Sequence, residues 1–260
     1  MGIGGSGTSL AFVRRSDDPA SPWVRACRLS RSTSAGPTVH MSDSAEAMCQ
    51  MMRALLPSWE HAAVAVGESL RPEPAPVLAV VGAEHRFHSE EARRCARAAA
   101  ELLGIPLTSL PNREDGAPLW PEGCTGSLAH TSSYCVAIVS TASCIRSVGV
   151  DVEWARPFSE HMTKLVVRED DTVLDDARQE LGREQAPTVV FSAKEAVYKA
   201  IAQLRPGWID FQDCRLEATL SHQFRAHVDL GGRHRELAGA WRTVSHGGRR
   251  AVLSVVVENS

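Results

Sequence analysis

Ser147-Val148-Gly149-Val150-Asp151-Val152-Glu153 is the stretch on which the reading of the fold turns. Its apolar residues are all valines, whose β-branched side chains suit a pleated strand, and Gly149 opens the backbone to close approach by another group. Side chains alternate along a strand. Val148, Val150 and Val152 therefore share one face and Asp151 and Glu153 the other, with the carboxylates roughly 6.5–7 Å apart at about 3.3 Å per residue. Two carboxylates so placed can grip one hard cation. Mg2+ usually takes one or two protein carboxylates and fills its remaining positions with water and phosphate oxygens.

A second stretch, Phe191-Ser192-Ala193-Lys194-Glu195-Ala196-Val197-Tyr198-Lys199, reads as a helix, because Val190, Lys194, Val197, Ile201 and Leu204 recur at three- and four-residue steps. Glu195 and Lys199 then lie on a common side, presenting a carboxylate and an ammonium towards the Asp151/Glu153 strand. Either piece alone also reads as a solvated strand face and an ordinary Glu-Lys helix pair. The distribution of lysine weighs against that. Of 28 Lys+Arg, only Lys164, Lys194 and Lys199 are lysines. Arginine would serve a generic salt bridge equally well, whereas a compact ammonium on a flexible stem differs from a planar fork. Lys194 and Lys199 are accordingly expected to be phosphate ligands.

With 260 residues and 43% hydrophobic content, the chain is long enough for one large domain or two small ones, each with a proper core. A net charge of −3 provides no basic field for a nucleic-acid backbone, so nucleic acid is excluded as the expected partner. The cysteines, Cys27, Cys49, Cys95, Cys124, Cys135, Cys144 and Cys214, contain no C-x-x-C pair and read as reduced thiols. There is no run of about 18 apolar residues and no apolar signal core at the N-terminus, so neither membrane nor secretion is expected. The expected compartment is the cytoplasm.

Residues 1–40 are rich in Gly, Ser, Pro and Arg without a sustained apolar period, and read as a disordered leader whose removal changes neither activity nor melting temperature. Met41, followed by capping residues and by Met48, Met51, Met52 and Leu55, reads as a more natural beginning. A short strand is expected at Ala62 to Val66, a rigid connector at Pro72 to Pro76, and a helix from about Glu84 to Leu103. That helix buries Ala92, Cys95, Ala96, Ala99, Leu102 and Leu103, and its other side carries Arg86, Arg93, Arg94 and Arg97. Residues 111–123 form a structured loop, punctuated by proline and glycine. A hairpin from Gly126 to Ser140 leads to the Asp151 strand. Residues 155–186 are charged helix and loop, with Arg168 to Asp171 a solvated face. Four alternating segments, Cys214–Leu220, Gln223–Leu230, Ala238–Val244 and Ala251–Glu258, form an antiparallel meander turned by Gly231-Gly232 and Gly247-Gly248. The class is α+β, with antiparallel sheets.

Three ordered motifs coincide with a known family: Gly116-x-Pro118-x-Trp120-Pro121-x-Gly123-x-x-Gly126-Ser127-x-x-His130, the Ser147–Glu153 strand, and the Phe191–Lys199 helix. Together they resemble the 4'-phosphopantetheinyl transferases of the enterobactin-synthetase component D type, from about Met41 to the C-terminus. The resemblance implies a pseudo-dimer of two similar α+β halves, residues 41–145 and 146–260, with the active site in the cleft between them. It implies a monomer that binds coenzyme A and Mg2+ and transfers the phosphopantetheine arm to a serine of an apo acyl or peptidyl carrier protein, releasing adenosine 3',5'-bisphosphate. The carrier belongs to fatty-acid, polyketide, peptide or siderophore assembly.

Carried over by position, Asp151 and Glu153 are metal ligands, and Glu195 is a third ligand or the base that activates the serine. Asp151, Lys194, Glu195 and Lys199 face the phosphates, with Glu195 and Lys199 the catalytic pair. Ser127, His130 and Arg93 are similar to family residues that contact the nucleotide phosphates. Two positions depart from the pattern. The basic residue usual near the start of the Arg93 helix is replaced by His85-Arg86, and the lysine usual at Asn112 is absent, with Arg113 beside it as the substitute. Two other readings compete. A Mg2+-dependent nuclease would need a Glu-x-Lys that is missing here, since Glu153 is followed by Trp154 and Ala155. A non-catalytic carrier-protein binding module would have no use for the carboxylates and both motif lysines.

Overall fold

A computed structural model describes residues 10–12, 24–28, 47, 51, 62–68, 81–131, 134–205, 207, 209–246 and 248–260. The first part holds β1 (Leu10–Phe12), β2 (Val24–Arg28), β3 (Ala62–Glu68), α1 (Val81–Leu102), β4 (Thr125–His130) and β5 (Tyr134–Ser140). The second holds β6 (Ile145–Trp154), three helices, α2 (Glu160–Val166), α3 (Val173–Leu181) and α4 (Pro187–Leu204), and the strands β7 (Cys214–Leu220), β8 (Gln223–Asp229), β9 (His234–His246) and β10 (Arg249–Asn259). Each part contributes a five-stranded sheet, in the orders β1-β2-β3-β5-β4 and β6-β10-β9-β8-β7, and every pairing in them is antiparallel. The α+β expectation is met. Among the described residues no helix is long and apolar enough to cross a membrane.

The alternation of β6 decides how the layers stack. Val148, Val150 and Val152 are fully buried between the sheets, against Val136 and Ile138 of β5 and beside Leu253, Val255 and Val257 of β10. Burying each such valine contributes about 1.5–3 kcal/mol of transfer free energy. The opposite face of the second sheet is covered by α4, where Val190, Ala193, Val197 and Ile201 join Phe224, Trp241, Val252 and Val256 in a second cluster. On the outside of the first sheet, Ala92, Cys95, Ala96 and Ala99 of α1 pack on Ala63, Ala65, Cys135, Ala137 and Val139. The order of layers is therefore helix, sheet, sheet, helices. α1 gives way to Gly104, whose φ of +74° suits a glycine after a helix end.

Most expected elements stand where the periodicity put them. The hairpin is β4-β5, the meander is β7 to β10, and the charged segment 155–186 contains α2 and α3. β9 begins four residues earlier than expected, at His234, because His234-Arg235-Glu236 extends the ladder to β8 without adding apolar alternation. The disordered leader needs correction at its ordered positions. β1 and β2 fall within residues 1–40, and β2 pairs with β3 from Val24↔Gly67 to Arg28↔Ala63. A strand docks through main-chain hydrogen bonds and so does not need a sustained apolar period. Met51 is helical and buried between the sheets, whereas Met48, Met52, Leu55 and the connector at Pro72–Pro76 lie outside the described residues.

Candidate active site

With its valines turned towards the first sheet, β6 presents Asp151 and Glu153 to α4. The helix comes close because residue 149 is glycine: a Cβ there would stand 1.8 Å from the carbonyl oxygen of Ala196 and 3.0 Å from the nitrogen of Ala200. This close approach brings the next turn of α4 over Asp151. Lys199 Nζ donates to Asp151 Oδ1 at 2.6 Å, and the Asp151 side chain is only 6% exposed. Asp151 Oδ2 is buried and without a hydrogen-bond partner. Burial, then the neighbouring Asp151 charge and more weakly Glu195, pushes the Glu153 carboxyl up to about 7, against the opposing charges of Arg156 and Lys199. Burial also raises Glu195, and the Asp151 charge adds to this while Lys199 opposes it. Three acids thus share a neighbourhood with two cations, the Lys199 ammonium and the Arg156 guanidinium. Among the described residues, no three carboxylate, histidine or cysteine side chains already converge closely enough to hold a metal ion.

Lys194 is not part of that neighbourhood. Its ammonium donates to Val166 O and Phe211 O, both at 2.9 Å, and pairs with Asp171 Oδ2 at 2.7 Å, with both side chains essentially unexposed. Burial lowers its pKa and the Asp171 charge opposes the shift. The expected phosphate role for Lys194 is corrected accordingly: all three N–H donors are used within the protein. Asp171, expected on a solvated face, is buried, and also accepts from the backbone N–H groups of Leu216 and Arg168. A compact ammonium is needed here too, as a three-way knot between α2, α4 and the Phe211–Asp213 turn.

The remaining expected residues divide between cleft and scaffold. A cavity of about 320 Å³ lies between the 115–118 loop, β4 and α4, and its walls include Pro118, Trp120, Ser127, Tyr198, Lys199 and Gln203. The Trp120 ring lies so close to Gly126 that a Cβ at that position would stand 2.7 Å from it. Ser127 lines this cavity, but its Oγ is engaged, accepting from the Val150 N–H at 3.0 Å. His130 ends β4 as a partly buried residue. Arg93 donates from Nε to Leu110 O at 3.0 Å and from Nη2 to Asn112 Oδ1 at 2.5 Å, clamping α1 to the start of the loop. Arg113 pairs with Asp115 at 2.5 Å and donates to Ala202 O of α4 at 3.2 Å, so it joins the loop to the helix. Arg86 is in α1, and its side chain lies outside the described residues.

A larger cavity of about 550 Å³ lies at the far side of the second sheet, lined by Arg168, Asp170, Arg215, His227, Arg235 and Glu236 among others. Its arginines are already paired, Arg168 with Asp170, Arg215 with Glu217 and Arg235 with Glu258. Chemistry rather than volume therefore selects the smaller cavity as the candidate site. Sequence reading missed Gln203 and Asp171. The signal for Gln203 was its place one turn beyond Lys199; for Asp171 there was none, because a charged run gives no sign of which member turns inward.

This fold and site define a family. Residues 79–140 match the model of the 4'-phosphopantetheinyl transferase N-terminal domain, and residues 147–256 that of the 4'-phosphopantetheinyl transferase superfamily. The chain is 33% identical over 150 residues to the 4'-phosphopantetheinyl transferase PptT of Mycobacterium tuberculosis, covering 56% of this chain and 63% of that protein. It is 34% identical over 180 residues to the 4'-phosphopantetheinyl transferase Svp of Streptomyces mobaraensis, covering 64% and 71%. With enterobactin synthase component D of Salmonella typhi it shares 37% identity over 110 residues, 39% and 43% of the two chains. The chain belongs to the 4'-phosphopantetheinyl transferase superfamily. It spans less than two thirds of the mycobacterial and Salmonella relatives.

Proposed function

We propose that the protein transfers the 4'-phosphopantetheine arm of coenzyme A to a serine of an apo acyl or peptidyl carrier protein. The observation that carries this reading is the buried Asp151–Lys199 pair, with its partnerless Asp151 Oδ2, whose Lys199 lines the cavity between β4 and α4. The serine oxygen bonds to the phosphorus that bears the pantetheine, and the bond from that phosphorus to the bridging oxygen breaks, releasing adenosine 3',5'-bisphosphate. Lys199 sets its ammonium against the negative charge that develops on the phosphates. Glu195, whose carboxyl burial holds above its ordinary range, takes the serine proton directly or through water where it does not serve as the third metal ligand.

The chemistry of the donor set fits Mg2+, because the Asp151 and Glu195 charges both bear on Glu153 and one buried Asp151 oxygen lacks a partner. Asp151 and Glu153 would hold the ion, with Glu195 as the third ligand or as the base, and the ion when bound supplies positive charge across the pyrophosphate. In this reading the halves 41–145 and 146–260 form a pseudo-dimer with the active site in the cleft between them, acting as a monomer in the cytoplasm. The test is to mix the protein, Mg2+, coenzyme A and a panel of apo carrier proteins and to record intact masses. A carrier gaining the mass of a phosphopantetheine supports the reading, and no gain on any carrier overturns it.

A further inference from the structure

The second sheet ends on β6 and the first on β4, and these two edges pack side by side. They belong to different sheets, so no ladder joins them. An edge strand leaves every other N–H and C=O without a strand partner, and buried groups of this kind need one. Side chains supply the bonds here. Ser127 Oγ accepts from the Val150 N–H at 3.0 Å, and Gln203 Nε2 donates to Val148 O at 2.5 Å. The same Nε2 reaches Lys199 O at 3.0 Å, while Gln203 Oε1 accepts from Thr125 Oγ1 at 2.6 Å. One amide thus ties β4, β6 and α4 together at the wall of the cavity that Lys199 lines.

We infer that Gln203 is a positioning residue for Lys199, an inference that rests on the transferase reading. Two of the contacts between α4 and β6 flank Lys199 along the helix. One is Gly149 under Ala196 and Ala200, and the other is Val148 under Gln203. Lys199 lies between them and reaches Asp151. The Gly149 contact fixes the distance of the helix from the strand, and the buried face of Val190, Ala193, Val197 and Ile201, with the bonds of Lys194, fixes the body of the helix. Gln203 fastens the turn that follows Lys199. It holds α4 by a donor on the β6 side and an acceptor on the β4 side, and so sets both the aim of Lys199 Nζ and the separation of the cavity walls. Arg113, which donates to Ala202 O, holds the same turn from the loop, so the helix stays docked when Gln203 is replaced.

The experiment compares Gln203→Ala, Gln203→Glu and Lys199→Arg/Gln203→Ala with wild type and Lys199→Arg, by transfer kinetics at temperatures well below each melting midpoint. Glutamate keeps the shape and the acceptor for Thr125 but cannot donate to Val148 O. Both single Gln203 variants should lose about tenfold or more in kcat, the scale expected when a charged group is misaimed by a fraction of its reach. The loss in the double variant should be smaller than the product of the single losses, because Gln203 acts through Lys199. Wild-type kcat in Gln203→Glu, fully multiplicative losses, or activity that returns in step with the folded fraction on cooling would each overturn the inference. If the wild type itself modifies no carrier, the transferase reading falls and the inference with it; an active wild type with silent Gln203 variants removes this inference alone.

Discussion

Lys199 and Lys164 carry the same charge in opposite settings. Lys164 is 73% exposed and pairs with Glu160 along one helix turn, whereas Lys199 is 28% exposed and pairs with the buried Asp151. Exposed pairs of the first kind are worth only about 0.3–0.5 kcal/mol, so Lys164→Arg should be silent. A planar guanidinium cannot occupy the point that Lys199 Nζ occupies, so Lys199→Arg should lower kcat/KM about tenfold or more with little change in melting temperature. Kinetics of the two variants side by side check this, and equal activities would return Lys199 to the role of a helix charge. Glu153 makes a prediction in pH. Its carboxyl titrates near 7 when folded against an ordinary 4.5, so between those values the folded protein holds more protons than the unfolded chain. Stability from this group therefore falls as pH rises through that window. Glu153→Gln should raise the melting temperature at about pH 8 and change it little near pH 5, and Mg2+ should stabilise the wild type more at the higher pH. Scanning calorimetry at both pH values decides it. The Asp151–Lys199 pairing was half legible: the alternation of β6 and the helical period of α4 placed both groups on facing surfaces. Lys194 was misread because residues five apart on a helix point about 140° from one another, so only one of the two lysines can face β6.

Between elements, contacts of backbone on backbone leave the least room for change. Adding a Cβ at Gly149 sets a methyl group against the Ala196 carbonyl, which belongs to the helix itself and cannot rotate aside. Gly149→Ala should therefore destabilise by at least the about 1–3 kcal/mol typical of overpacking, read from denaturant unfolding. A midpoint equal to wild type would mean that α4 does not lie flush on β6. Lys194 acts at the same scale. Lys194→Met leaves Asp171 buried without its counter-charge, a change that costs about 3–5 kcal/mol. The variant should melt early yet keep near-normal kcat/KM in its folded fraction, the reverse of the pattern expected for Lys199→Arg. Gly149 was readable beforehand, since a glycine inside a valine strand marks a close approach. The Lys194 knot was not, because its partners come from two other places in the chain, Val166 and Asp171 before the helix and Phe211 after it, and share no period with it.

At the scale of the whole molecule, the first forty residues take a different part from the one their composition suggests. β2 covers the edge of β3 and packs beneath α1, so removing residues 1–40 strips two strands, β1 and β2, from the sheet and exposes a new edge. The shortened protein should melt lower and associate at high concentration, as scanning calorimetry and size-exclusion chromatography would record; an unchanged melting temperature would return the segment to a dispensable leader. Composition could not reveal this, since pairing is a property of backbone and of the neighbour that offers it. The face-to-face stacking of the sheets was equally hidden, for valine alternation says that one face is buried but not against what. That alternation has a further consequence. The valines of β6 hold the two sheets together and the carboxylates between them face α4, so the strand has only two parities and a slip by one residue exchanges them. A chain paired with the wrong parity would drive Asp151 and Glu153 into the dry space between the sheets and turn the valines out. Such a molecule fails to fold rather than folding into an inert copy. The register of one strand therefore works as a checksum, in which any copy that passes the test of folding has already set its acidic residues on the correct side.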